Sequence, residues 1–207
     1  MLSTVRRTVA TLSLSLALVG TTAALAAPAQ AERWTHDDAV GDVVRETMGE
    51  VGELTPVPDR TDIDVTRVVA NHRGRHLTIK VRTRTAMKGA LMVNSLIRTP
   101  NKRFLLMSMR MPMLGNSVEL LDLSSKRKDP TVRCPGLKRS FDKGRTVMTT
   151  KIPRSCLGNP RWVRFSLDVT TMDIFSDDDY SYSDDALRGG MGAGFGPGKM
   201  SPKIKHG

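Results

Sequence analysis

Five aspartates in the first third of the chain carry the side chains best suited to hold a hard cation. They are Asp37, Asp38, Asp42, Asp62 and Asp64. Ca²⁺ takes about six to eight oxygen ligands, which several loops can supply together. The chain has no D-x-D-x-D-G loop, so spacing alone does not fix a site. One interpretation is a structural Ca²⁺ site at these five residues. The other is a solvated acidic segment that pairs with a basic body.

The same carboxylates raise the question of catalysis. A hydrolase that uses paired aspartates needs one acid and one base or nucleophile across a cleft. The sequence contains neither H-E-x-x-H nor G-x-S-x-G, which signal a zinc hydrolase and a serine esterase. No motif indicates a reaction, so the sequence favours a protein without catalytic machinery. A hydrolase using aspartates stays open as the alternative.

Cations and one tryptophan form the candidate ligand-binding set. In residues 76–84, Leu77, Ile79 and Val81 alternate with polar side chains, which predicts a strand with one face on a core. Residues 161–169 repeat the pattern, with Val163, Phe165, Leu167 and Val169 facing inward. The outward side chains would form a basic sheet face built from Lys80, Arg82, Arg84, Arg161, Trp162 and Arg164.

Charge is distributed in blocks along the chain. The formal net charge is +11, with −7 in residues 32–64, +19 in residues 65–165 and −3 in residues 166–207. A basic middle of this kind predicts affinity for anionic polymers, or self-neutralisation by the acidic ends. Specific nucleic-acid binding is not indicated, because no known motif is present and no aromatic side chains alternate with the cations.

Four methionines, Met107, Met109, Met111 and Met113, stand at alternate positions. On a strand they would share one face, which suggests either a core face filled by adaptable side chains or a thioether site for Cu(I). The chain is poor in aromatics, which favours the core interpretation.

Residues 1–31 have the features of a secretory signal peptide. Arg6 and Arg7 precede an apolar stretch, and Ala29-Gln30-Ala31 is a small-x-small cleavage site. We therefore expect a secreted protein, extracellular or associated with the cell wall, without a membrane span. In an oxidising compartment the two cysteines, Cys134 and Cys156, are expected to form one disulfide.

Short strands separated by turn residues dominate the rest of the chain. Strands are predicted over residues 62–70, 76–84, 91–99, 103–111, 118–123, 145–152 and 161–169, with a hairpin turn at residues 71–75. This pattern is typical of an all-β protein, here an antiparallel, jelly-roll-like β-sandwich. The predicted organisation is a signal peptide (1–31), an acidic lead-in segment packed on the sandwich (32–61), the sandwich (62–175) and an acidic, then Gly-rich, disordered tail (176–207).

The run from Ile152 to Pro160 (I-P-R-S-C-L-G-N-P), together with Asp38, Gly41-Asp42, Asp62-Ile63 and an upstream cysteine, resembles secreted actinobacterial proteins. Their sandwiches are similar to DOMON domains and family-nine carbohydrate-binding modules. The resemblance covers about residues 35–170 and implies an antiparallel sandwich with a structural cation and a ligand face. Such carbohydrate-binding modules hold sugar between paired aromatic side chains, and no such pair can be placed in this sequence.

These observations predict a secreted, non-catalytic, monomeric binding module for an anionic envelope polymer or glycan, with Ca²⁺ as its one candidate cofactor. A hydrolase and a structural envelope protein without a small ligand are the alternatives.

Overall fold

The computed structural model describes residues 33–47, 54–113, 115–172, 180–188 and 198–207. Almost all regular structure there is β-strand, beside one 3-10 helix at Arg154–Leu157. The strands are β1 (Arg33–Asp37), β2 (Val44–Thr47), β3 (Thr55–Pro56), β4 (Val65–Arg73), β5 (His76–Thr83), β6 (Ala90–Arg98), β7 (Arg103–Met111), β8 (Gly115–Asp122), β9 (Lys138–Phe141), β10 (Val147–Pro153), β11 (Trp162–Phe165), β12 (Asp168–Met172), β13 (Tyr180–Asp185) and β14 (Ile204–Lys205).

The strands form two antiparallel sheets, so the predicted all-β, sandwich-like fold is confirmed. The five-stranded sheet has the order β1-β4-β5-β10-β9. The larger sheet has the order β14-β11-β6-β12-β13-β2-β3, and β7 joins it by pairing with β6 and β8. The N-terminal segment supplies strands to both sheets, because β1 pairs with β4 and β2 pairs with β13.

The core lies between the inward faces that the sequence pattern predicts. Leu77, Ile79 and Val81 of β5 are buried, and so are Val163, Phe165, Leu167 and Val169. Burial of a side chain of this size stabilises the fold by roughly 1.5–3 kcal/mol. The predicted strand over residues 161–169 is divided into β11 and β12, yet both keep one register against β6, with Phe165 opposite Ile97 and Asp168 opposite Asn94.

The disulfide between Cys134 and Cys156 is confirmed. It joins the segment after β8 to the 3-10 helix that follows β10. The loops on either side of this bridge carry several of the exposed cations discussed below.

The chain after residue 176 differs from the predicted disordered tail wherever the structure describes it. β13 is an interior strand between β12 and β2, and β14 pairs with β11. Ile204 is fully buried in the core, and the backbone N–H of Ser201 donates to the carbonyl oxygen of Phe165 at 2.8 Å. Hydrogen bonds between paired strands and these buried contacts offset the entropy cost of ordering this segment, although its polar composition gives little apolar burial. Residues 1–31, which carry the predicted signal peptide, and residues 189–197, within the Gly-rich run, lie outside the described residues.

The methionines of β7 lie on the face of the strand that points away from the core. In β7 the buried positions are Phe104, Leu106 and Ser108, whereas Met107 and Met109 alternate with them on the outer face and are half-buried. Met113 is 92% exposed. The core interpretation of the methionines is therefore wrong, because Phe104 and Leu106 already fill the inner face of this strand.

No helix in the described part of the chain has the length and apolar character needed to span a membrane.

Candidate functional site

The five aspartates singled out from the sequence separate into two groups. Asp37 pairs with Arg67, with 2.5 Å between Oδ1 and Nε, and Asp62 pairs with Arg60 at 2.7 Å. Asp42 and Asp64 instead lie together, and Asp38 is close enough to interact electrostatically with both. Only part of the predicted set therefore converges.

A sixth aspartate, Asp184, completes the cluster. Carboxylate oxygens of Asp42, Asp64 and Asp184 all lie within 4.8 Å of one another. Asp42 is in the connection between β1 and β2, Asp64 directly precedes β4, and Asp184 is near the end of β13. The sequence analysis missed Asp184 because it placed that residue in the tail; the alternation of Tyr180 and Tyr182 with serine was the only local sign of a strand.

Backbone and side-chain donors hold one oxygen of each buried carboxylate. Oδ2 of Asp64 accepts a hydrogen bond from the N–H of Gly41 at 2.9 Å and from Arg84 at 2.8 Å. Gly41 has a φ of 81°, in the left-handed region that glycine adopts without strain. Oδ2 of Asp184 accepts from the N–H of Val65 at 2.6 Å. These bonds fix the carboxylates in place around the cluster.

The other oxygen of both carboxylates is buried without a hydrogen bond. Asp64 is 0% and Asp184 1% exposed, and Oδ1 of each accepts no hydrogen bond from any described residue. Buried polar oxygens in folded proteins normally have a partner, and the described residues supply none to these two atoms.

Burial and mutual repulsion disfavour the charged forms of the acids here. Burial raises the pKa of Asp38 to about 7, and the charge of Asp42 adds to the shift. Burial raises the pKa of Asp184 to about 9; the N–H of Val65 opposes this shift, and the neighbouring carboxylates reinforce it. A nearby cation would reverse both effects by stabilising the carboxylates.

The predicted basic face is divided between two surfaces. Lys80 and Arg82 are exposed on the outer face of the five-stranded sheet, whereas Arg84 turns to Asp64. Arg161, Trp162 and Arg164 belong to the other sheet or its flank. The six residues thus do not form one continuous sheet face, because the two strands that carry them lie in different layers.

The outer face of the five-stranded sheet, here called the basic sheet face, is rich in cations. Its strands contain one acidic residue, Asp37, which is paired with Arg67. Lys151 lies opposite both Thr78 and Lys138 in the register. The outward cations are Arg33, Arg67, Arg73, Lys80, Arg82, Lys138 and Lys151.

Trp162 lines an open depression of about 390 Å³, here called the Trp162 depression. The ammonium group of Lys203 lies 4.8 Å from the centre of its ring, and Nε of Arg164 donates to the carbonyl oxygen of Ser201. Its lining consists of Arg98, Thr99, Pro100, Asn101, Lys102, Arg103, Ser124, Trp162, Arg164 and Lys203. Five of these ten residues are cations and none is an acid.

Two further depressions adjoin it, because both share Lys102 with the first. One includes Arg127 and Arg133, and the other includes Arg161 and Pro160. In the first of them, the ammonium group of Lys102 pairs with Asp122 at 2.7 Å. Cations therefore also line the two adjoining depressions, although Asp122 and Asp129 contribute to the lining of the first.

Comparison with known proteins gives no match: no protein-family model, no curated protein and no solved structure is significantly similar to this chain. Function must therefore be inferred from the geometry of these surfaces.

Proposed function

We propose that this protein is a non-catalytic binding module that recognises an anionic polymer or glycan of the cell envelope. The observation that carries the proposal is the composition of the Trp162 depression, five cations around one aromatic side chain with no carboxylate. An envelope location belongs to the same proposal and is supported by the predicted signal peptide and by a disulfide, which persists in oxidising compartments.

The residue types in the Trp162 depression suit a polymer with repeated anionic groups. Arginine presents a planar fork of donors that matches phosphate or carboxylate oxygens, and lysine adds a mobile point charge. An indole face packs against the apolar face of a sugar ring. The depression is open to solvent, and the depressions that share Lys102 offer Arg127, Arg133 and Arg161 as further cations for an extended chain.

The basic sheet face is a second candidate surface for the same ligand class. Lys80 and Arg82 lie on it, and it carries a single paired acid. It has no aromatic side chain among its outward residues, so binding there would depend on charge alone and would be screened by salt. The two surfaces are therefore distinguishable by experiment.

The hydrolase alternative receives less support from the geometry. Three carboxyl groups have pKa values raised well toward the neutral form, mainly by burial: Asp184 and Asp38 in and around the Asp42–Asp64–Asp184 cluster, and Asp168 in β12. Asp64 and Asp184 are almost completely buried, which shields them from a polymeric substrate. Nor does the Trp162 depression contain a carboxylate that could act as acid or base.

The test is a binding titration of the purified protein with poly(glycerol phosphate) and with a neutral β-glucan, each at low and high salt. We expect binding to the anionic polymer, with Trp162→Ala and Arg103→Ala each lowering the affinity by about tenfold. Lys88→Ala, in the loop between β5 and β6, is the matched cation control and should leave the affinity unchanged.

Each other outcome has a defined meaning. Loss of binding in Lys80→Ala and Arg82→Ala, with Trp162→Ala unaffected, would move the proposal to the basic sheet face. Salt-insensitive binding of the neutral glycan that depends on Trp162 would indicate a sugar site without a charge requirement. No binding to either polymer at low salt would reject the recognition function.

A further inference from the structure

The cluster of Asp42, Asp64 and Asp184 joins three distant parts of the chain and lies apart from the residues of both basic surfaces. Asp42 is in the connection by which the chain passes from the five-stranded sheet to the larger one. Asp64 leads into β4 of the five-stranded sheet, and Asp184 belongs to β13 of the larger sheet. Whatever binds these three carboxylates therefore holds the two sheets and their N-terminal connection together.

We propose that Asp42, Asp64 and Asp184 bind one Ca²⁺ ion, which clips the two sheets of the sandwich. The oxygens of the cluster lie within 4.8 Å of one another. Two oxygens bound to one Ca²⁺ at about 2.4 Å are at most about 4.8 Å apart, so the cluster is compact enough for its three residues to bind the same ion. Mg²⁺ keeps several waters and is usually held by one or two carboxylates, whereas Ca²⁺ accepts a larger set of protein oxygens, so three converging carboxylates favour Ca²⁺.

Two buried atoms point to the ligand independently of the acidic composition. Oδ1 of Asp64 and Oδ1 of Asp184 belong to side chains that are at least nine-tenths buried, and neither accepts a hydrogen bond from a described residue. In both residues the partner oxygen, Oδ2, is already fixed by the protein. The arrangement leaves one buried lone-pair-bearing oxygen on each carboxylate for a cation.

The donors available are oxygens, which selects a hard ion. Zinc sites use cysteine and histidine, but both cysteines are in the disulfide. No histidine among the described residues belongs to the cluster, and Nε2 of His36 lies 3.7 Å from Oδ1 of Asp38. Asp38, with a side chain that is 0% exposed, is placed to act on the ion as a neighbouring charge.

The positive charge already present does not replace the ion. Arg84 contacts Oδ2 of Asp64 and is 34% exposed, so it compensates one carboxylate from the solvent side. Asp184 has no cationic contact among the described residues and relies on one backbone N–H. The carboxylates of Asp42, Asp64 and Asp184 therefore repel one another unless a cation lies between them.

The experiment compares thermal unfolding of the EDTA-treated protein with and without Ca²⁺, and measures stoichiometry by isothermal titration calorimetry. We expect one bound Ca²⁺ per chain, and a rise in the melting temperature of about 5–10 °C at a hundredfold excess over Kd. The key variant is Asp184→Asn, which preserves shape and removes the charge. It should lose the Ca²⁺-dependent rise, while melting no lower than the wild type in EDTA.

Asp37→Asn and Asp62→Asn are the matched controls, because these aspartates are acidic neighbours in sequence that pair with arginines outside the cluster. Both should keep the full Ca²⁺-dependent rise. Absence of stoichiometric Ca²⁺ binding in the wild type would overturn the proposal, as would a full response in Asp184→Asn. A response to Mg²⁺ equal to that of Ca²⁺ would overturn the assignment of the ion.

Discussion

Two regions of this molecule collect like charges, and they do so in opposite environments. In the Asp42–Asp64–Asp184 cluster, negative charges are removed from water, so repulsion and desolvation act at full strength. In the Trp162 depression, five positive side chains remain in contact with solvent, where water and salt screen them. We therefore expect the buried region to depend on the proposed Ca²⁺ ion for stability, whereas the exposed cations need no internal counter-ion and remain available to the proposed ligand.

The largest difference between the regions should appear when a buried carboxylate is deleted. Asp64→Ala in Ca²⁺-containing buffer removes the acceptor for Gly41 and Arg84 as well as one ligand. We expect a loss of about 4 kcal/mol in the free energy of unfolding, measured by urea denaturation, as for the breaking of a buried ion pair. Asp62→Ala, which breaks the more exposed pair with Arg60, should cost less than about 1 kcal/mol. Equal losses would contradict the contrast between buried and exposed charge.

Removal of the disulfide should affect the Trp162 depression and its neighbours but not the Asp42–Asp64–Asp184 cluster. Cys134 and Cys156 are 22 residues apart, and replacing both by serine should lower the free energy of unfolding by about 3 kcal/mol. Arg133 and Leu157, which are adjacent to these cysteines in sequence, line the depressions that share Lys102. Polymer affinity should therefore fall in the double variant, while calorimetry at a temperature where it is folded still shows one Ca²⁺ site. Loss of the Ca²⁺ site instead would show that the two regions are coupled.

Local patterns were sufficient to predict the core-facing strands but not the parts of the sheets that depend on distant partners. The alternation in β5 and in residues 161–169 correctly placed seven apolar side chains inside, because period two assigns faces directly. β13 has the sequence Y-S-Y-S-D-D and was assigned to a disordered tail. It is an interior strand because β12 and β2 pair with its backbone on both sides, and Val65 of the other sheet donates to Asp184; no local pattern records these partners.

The candidate site was predicted only in part, because it also depends on which distant residues become neighbours. Asp42 and Asp64 were recognised by residue type, but Asp37 and Asp62 could not be separated from them without knowing that Arg67 and Arg60 lie alongside. The cationic set was recognised as well, yet Lys80 and Trp162 lie on strands of different sheets. Which strands become neighbours is a property of topology, and topology decides which charges meet.

The third prediction concerns Asp168, a buried acid outside the Asp42–Asp64–Asp184 cluster. Asp168 in β12 accepts a hydrogen bond from Asn94 and faces Asp185 across the strand pair; burial raises its pKa to about 7. Since this value lies above the ordinary 3.8, the folded state retains the proton between about pH 4 and pH 7, and the group costs stability as the pH rises through that window.

Asp168→Asn removes this cost. Its free energy of unfolding should lie about 2 kcal/mol below that of the wild type near pH 4, because the new amide needs partners of its own at every pH. It should lie about 2 kcal/mol above that of the wild type at pH 8, since the difference between the two proteins changes over this range by the roughly 4 kcal/mol that such a pKa shift represents. Urea unfolding across this pH range measures the difference. A constant difference between the two proteins at all pH values would show that Asp168 does not titrate in this window.

The smallest effect on stability is expected in the exposed region, at the lysine over the tryptophan. Nζ of Lys203 lies 4.8 Å from the centre of the Trp162 ring, a cation–π contact at a partly exposed site. Lys203→Ala should lower the free energy of unfolding by only about 0.5 kcal/mol. The same substitution should have a clearer effect on binding. The slope of log affinity against log salt for poly(glycerol phosphate) should decrease by about one, as expected for each cation that contacts a polyanion. Lys88→Ala should leave that slope unchanged. An unchanged slope in Lys203→Ala would show that this lysine only covers the indole, and that the charge in the Trp162 depression that meets the ligand comes from the arginines.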